Sequence, residues 1–332
     1  MKKLHLRILA ISLCLLLILP AFSFLPIAAA DTDSLEQELY PLGGLPDESM
    51  DGYTIVEGNT ILRSSMSALP ESVDNSQLVQ TGQTDREYFP PIRKQVGGSC
   101  TSYASTYYAF TYEVNKYKHE VLGLPSSQYD ASIESNQYSP KFTYSLANNW
   151  KKEGSSYSNN YNILQTYGSL TWADFPYTDH RELSNNSALK RQALEYRVDK
   201  RYFTSLDTAQ NSITGPNDPD LTFAKTLLNE GRVLNVTMYS FRGSQYKETR
   251  DNRGKAITCV ALNESVHALT IVGYDDTIEC DMNGDGIIEE AETGAFKIAN
   301  SHGIEYHNNG YVWIMYLSLI HISEPTRPLY IS

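Results

Sequence analysis

One cysteine of the chain stands where its thiol could become nucleophilic. Cys100 follows the loop Gly97-Gly98-Ser99, and the residues behind it recur at spacings of three and four, which predicts a helix beginning near Cys100. A helix N-terminus and a nearby imidazolium both favour the thiolate over the thiol. Cys100 is therefore a candidate nucleophile. The alternative is a small buried apolar residue, which is the usual role of a lone cysteine.

Two later segments offer a base and a group to orient it. His267 opens the apolar strand 267–274, and Asn300 follows the strand 295–299. An imidazole can take a thiol proton, and a polar partner can hold the imidazole in one tautomer. His302 and His307 compete with His267 for the role of base. Asn300 by itself would be an ordinary turn residue.

Taken together, these segments resemble the papain-like cysteine peptidases, especially their secreted bacterial branch. The resemblance covers about residues 69–316 and rests on the order Cys, His, Asn. His267 and Asn300 lie 167 and 200 residues after Cys100, more than the roughly 130–150 typical of papain itself, so insertions are expected. The matching segments are 95–100, 139–140, 175–177, 267–274, 294–301 and 309–314.

The resemblance implies a fold and a set of roles. The fold is α+β, with a helical lobe, an antiparallel β lobe and the active cleft between them. Cys100 would attack a peptide carbonyl as the thiolate, His267 would exchange the protons, and Asn300 would orient His267. The side-chain amide of Gln95, with the backbone N–H of Cys100, would stabilise the oxyanion.

Three positions depart from the family pattern. The interval from Gln95 to Cys100 is one residue short, and Thr101 replaces an aromatic residue. His302 replaces the Trp that shields the Asn–His hydrogen bond, so we expect a more hydrated and weaker bond here. These departures favour one alternative to a peptidase, a catalytically weak or inactive binding or cell-surface module stabilised by calcium. A second alternative is a thioester-forming acyltransferase, since the same thioester intermediate serves both reactions.

The elements that must position these residues change in type along the chain. The pattern predicts helices first and strands later, which indicates an α+β protein. Helices are expected at 161–167, 187–198 and 221–230, and strands at 232–239, 268–274, 295–299 and 311–316.

The segment 281–292 matches the calcium-binding loop of an EF-hand. Gly286 occupies position 6, where the loop turns sharply. Strand-like segments flank the loop where an EF-hand has helices, and the alternative is a solvated acidic hairpin tip. We therefore expect structural Ca²⁺ and no organic cofactor. The expected ligands are Asp281, Asn283, Asp285, the backbone carbonyl of Ile287, Glu289 and Glu292.

The two ends of the chain differ in character from the rest. Residues 1–30 have the basic start, apolar run and Ala-Ala-Ala end of a cleaved signal peptide; the alternative is an uncleaved anchor. Residues 31–68 are expected to be an extension or a short propeptide. Residues 317–332 resemble a translated sequencing-library adapter, so they do not enter the fold prediction, and we expect the natural protein to continue past Tyr316.

The composition and net charge of the chain limit the kinds of partner that it can bind. The 332 residues are 41% hydrophobic and 20% charged, which excludes a disordered chain. The net charge is −12, or −15 without the three basic residues of the signal segment (−12 − 3). This balance argues against nucleic acid and anionic membrane surfaces. We expect a secreted protein, either free or associated with the cell surface, that has a peptide or protein substrate and no membrane span after signal removal.

The cysteine count leaves one question open. Without Cys14 of the signal segment, Cys100, Cys259 and Cys280 remain. An odd number in a secreted protein leaves one thiol outside any disulfide. Cys259 and Cys280 could form a disulfide or remain thiols, and their spacing does not decide between the two.

Overall fold

A helix of mixed type, α1, carries the candidate nucleophile. It begins at Cys100, as predicted, with the α-helical turn Cys100–Ser102, widens into the π-helix Tyr103–Phe110 and ends as the α-helix Thr111–Glu120. Every residue of the π-helix is buried, so α1 is a central helix rather than an amphipathic surface one. Short π-helical stretches occur frequently at functional sites.

The structure is a computed structural model, and its described residues cover most of the chain between 69 and 316. They are 54–55, 69–77, 87–148, 154–178, 183, 186–203, 216, 219–239, 245–251, 253–261 and 266–316. The expected signal peptide, most of segment 31–68 and the tail 317–332 lie outside these residues. No helix among the described residues is both long enough and apolar enough to cross a membrane.

The remaining α-helices surround α1 and one side of the sheet. The helices expected at 161–167 and 221–230 are confirmed. The helix expected at 187–198 ends earlier, at Ala193, whose carbonyl oxygen lies so close to Gly168 that a Cβ there would be only 2.3 Å away. The helices are α2 (Pro140–Asn148), α3 (Tyr157–Thr166), α4 (Ser187–Ala193) and α5 (Pro219–Asn229), with 3₁₀ turns at Ser126–Gln128, Glu134–Asn136 and Glu290–Glu292.

A seven-stranded sheet forms the β part of the fold. Its strands are β2 (Ser72–Asp74), β4 (Leu234–Tyr239), β5 (Gln245–Arg250), β6 (Ala256–Ala261), β7 (Val266–Glu279), β8 (Thr293–Ala299) and β9 (Tyr311–Met315), and β1 (Thr54–Ile55) pairs separately with β3 (Tyr202–Phe203). The order in the sheet is β2-β7-β8-β9-β6-β5, with β4 also paired to β7. All pairings within the sheet are antiparallel except β6 with β9, which is parallel. The four predicted strands are confirmed, whereas β2, β5 and β6 were not predicted.

The β7–β8 hairpin, residues 266–299, organises the sheet. The first half of β7 pairs with β4 and the second half with β2. Gly273 allows the close approach of β2, since a Cβ there would lie 2.2 Å from the Val73 carbonyl oxygen. His267 and Ala299 lie at the open end of this hairpin, and the segment 281–292 joins its strands at the closed end.

Two apolar clusters hold the layers together. One face of the sheet packs on α5, with Leu221 and Leu228 against Phe296 and Ile298. Four of the tyrosines of α1, at positions 103, 107, 108 and 112, belong to a second cluster that includes Val272 and Ala299 of the hairpin. The expected α+β class is confirmed, and the open end of the hairpin lies against the central helix.

Candidate active site

Cys100 lies at the junction of the helical and β parts. Its side chain has no exposed surface, and it shares an apolar cluster with Ala104 of α1 and Ala268 of β7. The hydroxyl of Ser99, the residue before the helix, donates to the carbonyl of Val96 at 2.8 Å and tightens the loop ahead of the thiol. The first turn of α1 is thereby held against the strand that carries the candidate base.

The structure joins His267 and Asn300 directly. His267 Nε2 lies 2.9 Å from Asn300 Oδ1, and neither residue has exposed surface. The backbone N–H of Ser301 donates to the same oxygen at 2.7 Å. Because an amide oxygen only accepts, His267 donates through Nε2–H, and Nδ1 is the ring nitrogen that can take a thiol proton.

The backbone of Asn300 is held from two sides. Its N–H donates to the Gly310 carbonyl, and its own carbonyl accepts from the hydroxyl of Tyr108, both at 3.0 Å. Gly310 has φ +85°, and a Cβ there would lie 2.3 Å from a side-chain carbon of Ile92. The π-helical segment of α1 and this glycine turn therefore fix the position of the amide.

Burial controls the charge of the candidate base. It lowers the pKa of His267 to about 4, and the hydrogen bond to Asn300 opposes this only in part. An isolated His267 is consequently neutral at pH 7. A neutral imidazole with an unprotonated Nδ1 is the form that can act as a general base toward a thiol.

His302 does not leave the Asn–His bond hydrated, so that expectation is wrong. Its side chain is buried, and its ring stacks on that of His267 with the centroids 4.8 Å apart and the planes at 21°. Tyr306 packs edge-on against His302. Two aromatic rings therefore exclude water where the sequence pattern lacks a tryptophan.

Gln95 reaches the same strand end as Asn300. Its backbone N–H donates to the Ser301 carbonyl at 2.7 Å, and its side-chain oxygen accepts from the Ser301 hydroxyl at 2.5 Å. The side-chain nitrogen donates to the carbonyl of Gly97 at 2.8 Å. Gln95 thus connects the loop before Cys100 to the end of β8, and its role toward an oxyanion stays a prediction.

At the closed end of the hairpin, the segment 281–292 folds around backbone amides. The Asp281 carboxylate accepts from Gly284 and Gly286, and these bonds, opposing a desolvation effect, lower the pKa of Asp281. Glu292 is buried and accepts from the amides of Met282 and Asn283. Asp281 and Glu292, the first and last predicted ligands, therefore both bond to backbone amides in the first half of the loop.

The other predicted ligands lie nearer the surface. Asn283 accepts from the amide of Asp285, Asp285 accepts from the amide of Ile287, and Glu289 caps the 3₁₀ turn that ends at Glu292. Within the described part of the chain, no three His, Cys, Asp or Glu side chains are grouped closely enough to hold a metal ion. Calcium binding remains a prediction from the sequence.

Cys259 and Cys280 lie beside this loop as two buried thiols. They share an apolar cluster with Ile278, Met282 and Trp313. Their mutual hydrogen bond and burial raise the pKa of Cys259. The same hydrogen bond lowers the pKa of Cys280, so the two thiols form a buried, mutually bonded pair, whereas Cys100 lies at a helix start.

The sequence analysis missed three residues that support the site: Tyr108, Ser301 and Gly310. Tyr108 gives no signal, because its partner is 192 residues away. Ser301 and Gly310 carry a weak one, since both lie within segments matching the family. Their contributions come through backbone groups, which sequence patterns rarely reveal.

Comparison with known proteins places the fold. No family model matches the sequence, and no curated protein sequence matches it. Xylellain, a cysteine protease from Xylella fastidiosa, superposes with a TM-score of 0.52 at 16% identity over 86% of this chain and 94% of its own. Procathepsin B S9 from Trypanosoma congolense gives 0.54 at 15% identity, over 89% of each chain. Procathepsin L2 from Tenebrio molitor larval midgut gives 0.54 at 16% identity, over 88% and 80%. The chain has the papain-like cysteine protease fold.

Proposed function

We propose that this protein is a secreted cysteine-type peptidase that hydrolyses peptide bonds through a thioester on Cys100. The observation that carries the proposal is the buried 2.9 Å contact between His267 Nε2 and Asn300 Oδ1. It lies at the strand end against which the helix of Cys100 packs. A helix start, an oriented imidazole and an orienting amide together make up the arrangement that activates a thiol.

The reaction follows from which atoms each group can exchange. Nδ1 of His267 takes the Cys100 proton, and the thiolate sulfur forms a bond to the peptide carbonyl carbon. The imidazolium then gives its proton to the amine nitrogen as the C–N bond breaks, which leaves a thioester. Water, deprotonated by His267, then attacks the thioester carbon, and the C–S bond breaks as the imidazolium returns its proton to the sulfur. The acid product leaves and loses its proton to solvent.

The charge state of His267 is consistent with this order of proton transfers. Its burial disfavours an isolated imidazolium, so the proton moves to His267 only when the negative thiolate stands beside it. An opposite charge at 4–6 Å stabilises the charged form, and more strongly in a dry site. Asn300 holds the positive ring by accepting from Nε2–H throughout the cycle.

The test compares two cysteines in one protein. Cys100→Ala should abolish cleavage of a fluorogenic peptide and the labelling of residue 100 by iodoacetamide at pH 5.5, where only an activated thiol reacts. Cys280→Ala is the matched control, because it removes a buried thiol from the opposite end of the hairpin. Full activity in Cys100→Ala, or an unlabelled Cys100 in the processed wild-type protein, would refute the proposal. Cross-linked amine products would favour the acyltransferase.

We also propose that segment 31–68 is a prosegment that follows the signal peptide. Thr54–Ile55 pairs in parallel with Tyr202–Phe203, and the Thr54 amide donates to the Arg201 carbonyl at 2.8 Å. The extension therefore contacts the folded domain by adding a strand to it. Backbone pairing of this kind docks a segment with little demand on its side chains.

Removal of one backbone donor tests the prosegment. Thr54→Pro deletes the amide that bonds to Arg201, whereas Thr54→Ala keeps it. We expect Thr54→Pro to shorten the lag before peptide hydrolysis and to speed loss of the extension, as followed by intact mass. An extension that stays attached while the enzyme is fully active would contradict this role.

Calcium at the segment 281–292 is the third part of the proposal. The sequence match is its basis. The Asp281 and Glu292 carboxylates and the exposed side chains of Asn283, Asp285 and Glu289 place oxygen atoms within one short loop, and the ion would have to draw them together. Here Ca²⁺ would serve to hold the closed end of the β7–β8 hairpin, and it takes no part in the chemistry at Cys100.

A further inference from the structure

The orientation of the Asn300 amide is decided by a neighbour that is not a side chain. The backbone N–H of Ser301 lies 2.7 Å from one terminal atom of the amide, and His267 Nε2 lies 2.9 Å from that same atom. A backbone N–H can only donate, so this atom must be the oxygen. The amide nitrogen therefore points the other way, toward His302.

This orientation fixes the proton on His302 as well. Asn300 Nδ2 lies 3.3 Å from His302 Nδ1. An amide N–H only donates, so Nδ1 of His302 accepts, and a neutral His302 carries its proton on Nε2. One backbone amide thus determines the direction of two consecutive hydrogen bonds, from Asn300 to His302 and from His267 to Asn300.

The surroundings of His302 keep it in the accepting form. Burial is the main cause that holds the pKa of His302 well below its usual value, and the nearby His267, Lys94 and His307 lower it further. Lys94 lies opposite His302 in an antiparallel bridge, and Tyr306 covers the ring from its edge. His302 therefore stays neutral when the stacked ring of His267 becomes an imidazolium.

We propose that His302 is a positioning residue, which accepts a hydrogen bond from Asn300 and so keeps the amide oxygen turned toward His267. The inference rests on the proposed function, because it concerns the same site. Without the acceptor, only the Ser301 N–H opposes rotation of the amide, so a larger share of the molecules presents the NH₂ group to His267 Nε2–H. That contact repels the imidazolium and makes the thiolate harder to form.

Three variants separate the acceptor from the stacked ring. His302→Phe keeps a ring but offers no acceptor, His302→Gln offers an amide oxygen as acceptor, and His307→Gln is the matched control next to the site. The measurement is the pH dependence of Cys100 alkylation by iodoacetamide, mapped by mass spectrometry on the processed protein. Its readout, the pH at which the thiol becomes reactive, does not depend on peptide turnover.

We expect His302→Phe to move the alkylation midpoint up by about one pH unit, which slows labelling on its acidic side about 10-fold. His302→Gln should stay within about threefold of wild type, as should His307→Gln. In an Asn300→Ala background, His302→Phe should have no further effect, because the two residues act as a unit. A normal midpoint in a folded His302→Phe protein, or additive effects in the double variant, would overturn the inference.

A second measurement works even if a variant does not fold. In the ¹⁵N spectrum of the wild-type histidine rings at pH 7, His302 should be neutral with its proton on Nε2. A proton on Nδ1 of His302 overturns the inference. An unreactive Cys100 in the wild-type protein refutes the peptidase proposal instead, and the ring spectrum then decides on His302 independently.

Discussion

The two ends of the β7–β8 hairpin hold their polar side chains in place by different kinds of contact. At the open end, His267 bonds to Asn300 through side chains 33 residues apart, in a site without exposed surface. At the closed end, Asp281 and Glu292 accept hydrogen bonds from backbone amides within ten residues, and residues 283–290 between them are exposed. One end orders its polar groups by tertiary contacts, and the other by local turns.

The cysteines show the same contrast. Cys100 lies at a helix start beside the strand of His267, where an imidazolium would stabilise a thiolate. Cys259 and Cys280 hydrogen-bond to each other in an apolar cluster beside the calcium-loop candidate. The reactivity of a buried thiol therefore depends on its neighbours as well as on its burial.

The largest expected effect is at the open end. His267→Ala removes the proton acceptor, and we expect kcat/KM for peptide hydrolysis to fall by at least about 10⁴-fold. His307→Ala, an exposed-side control on a neighbouring turn, should stay within about threefold. Activity is measured with a fluorogenic peptide after processing. Comparable losses in both variants would mean that the open end is not a catalytic site.

Acid should weaken the two ends in different pH ranges. In Cys100→Ala, where no thiolate can pair with it, His267 has a pKa of about 4 in the fold and 6.5 in the unfolded chain. The unfolded state therefore binds a proton first, so stability should fall from pH 6.5 down to about 4, by about 3 kcal/mol in total. The pKa of Asp281 is lowered in the fold. Its contribution to the free energy of unfolding should therefore be lost only as the pH falls below its ordinary pKa of 3.8. Urea unfolding at pH 7 and 4.5 measures the first effect, and His267→Gln should remove most of it. An equal loss of unfolding free energy between pH 7 and pH 4.5 with and without His267→Gln would show that His267 is not buried in its neutral form.

Local pattern explains how much could be predicted from the sequence. The start of α1 at Cys100, the hairpin strands and the calcium-loop match all depend on neighbours within about fifteen residues. The shielding of Asn300 by His302 could not be predicted, because it depends on a ring stack between residues 35 positions apart (302 − 267). Likewise, β5 and β6 alternate only weakly, and their place in the sheet is set by the parallel pairing of Cys259 with Trp313.

A smaller effect is expected from Asn300, which orients the base and does not itself transfer a proton. Asn300→Ala leaves the base in place but removes the acceptor of Nε2–H, so kcat should fall by about 30-fold with little change in KM. Asn159→Ala is the matched control, because it makes the same change at an exposed helix position outside both ends of the hairpin. A kcat loss as large as that of His267→Ala would indicate that Asn300 also holds the fold of the site.

The smallest expected effect is at the closed end, and it tests whether that end supports the other. For a dissociation constant of about 10⁻⁴ M, 1 mM Ca²⁺ should stabilise the protein by about 1.4 kcal/mol, or about 3–6 °C in Tm. Glu292→Ala should abolish this gain by removing the expected bidentate ligand, whereas Glu290→Ala, an exposed position outside the ligand set, should keep it. Because β7 and β8 continue from the loop to His267 and Asn300, chelation should lower activity together with Tm, and Ca²⁺ should restore both better than Mg²⁺. A Tm and an activity that are identical in Ca²⁺ and in chelator would leave the closed end a solvated acidic turn, with the open end ordered by its own tertiary contacts alone.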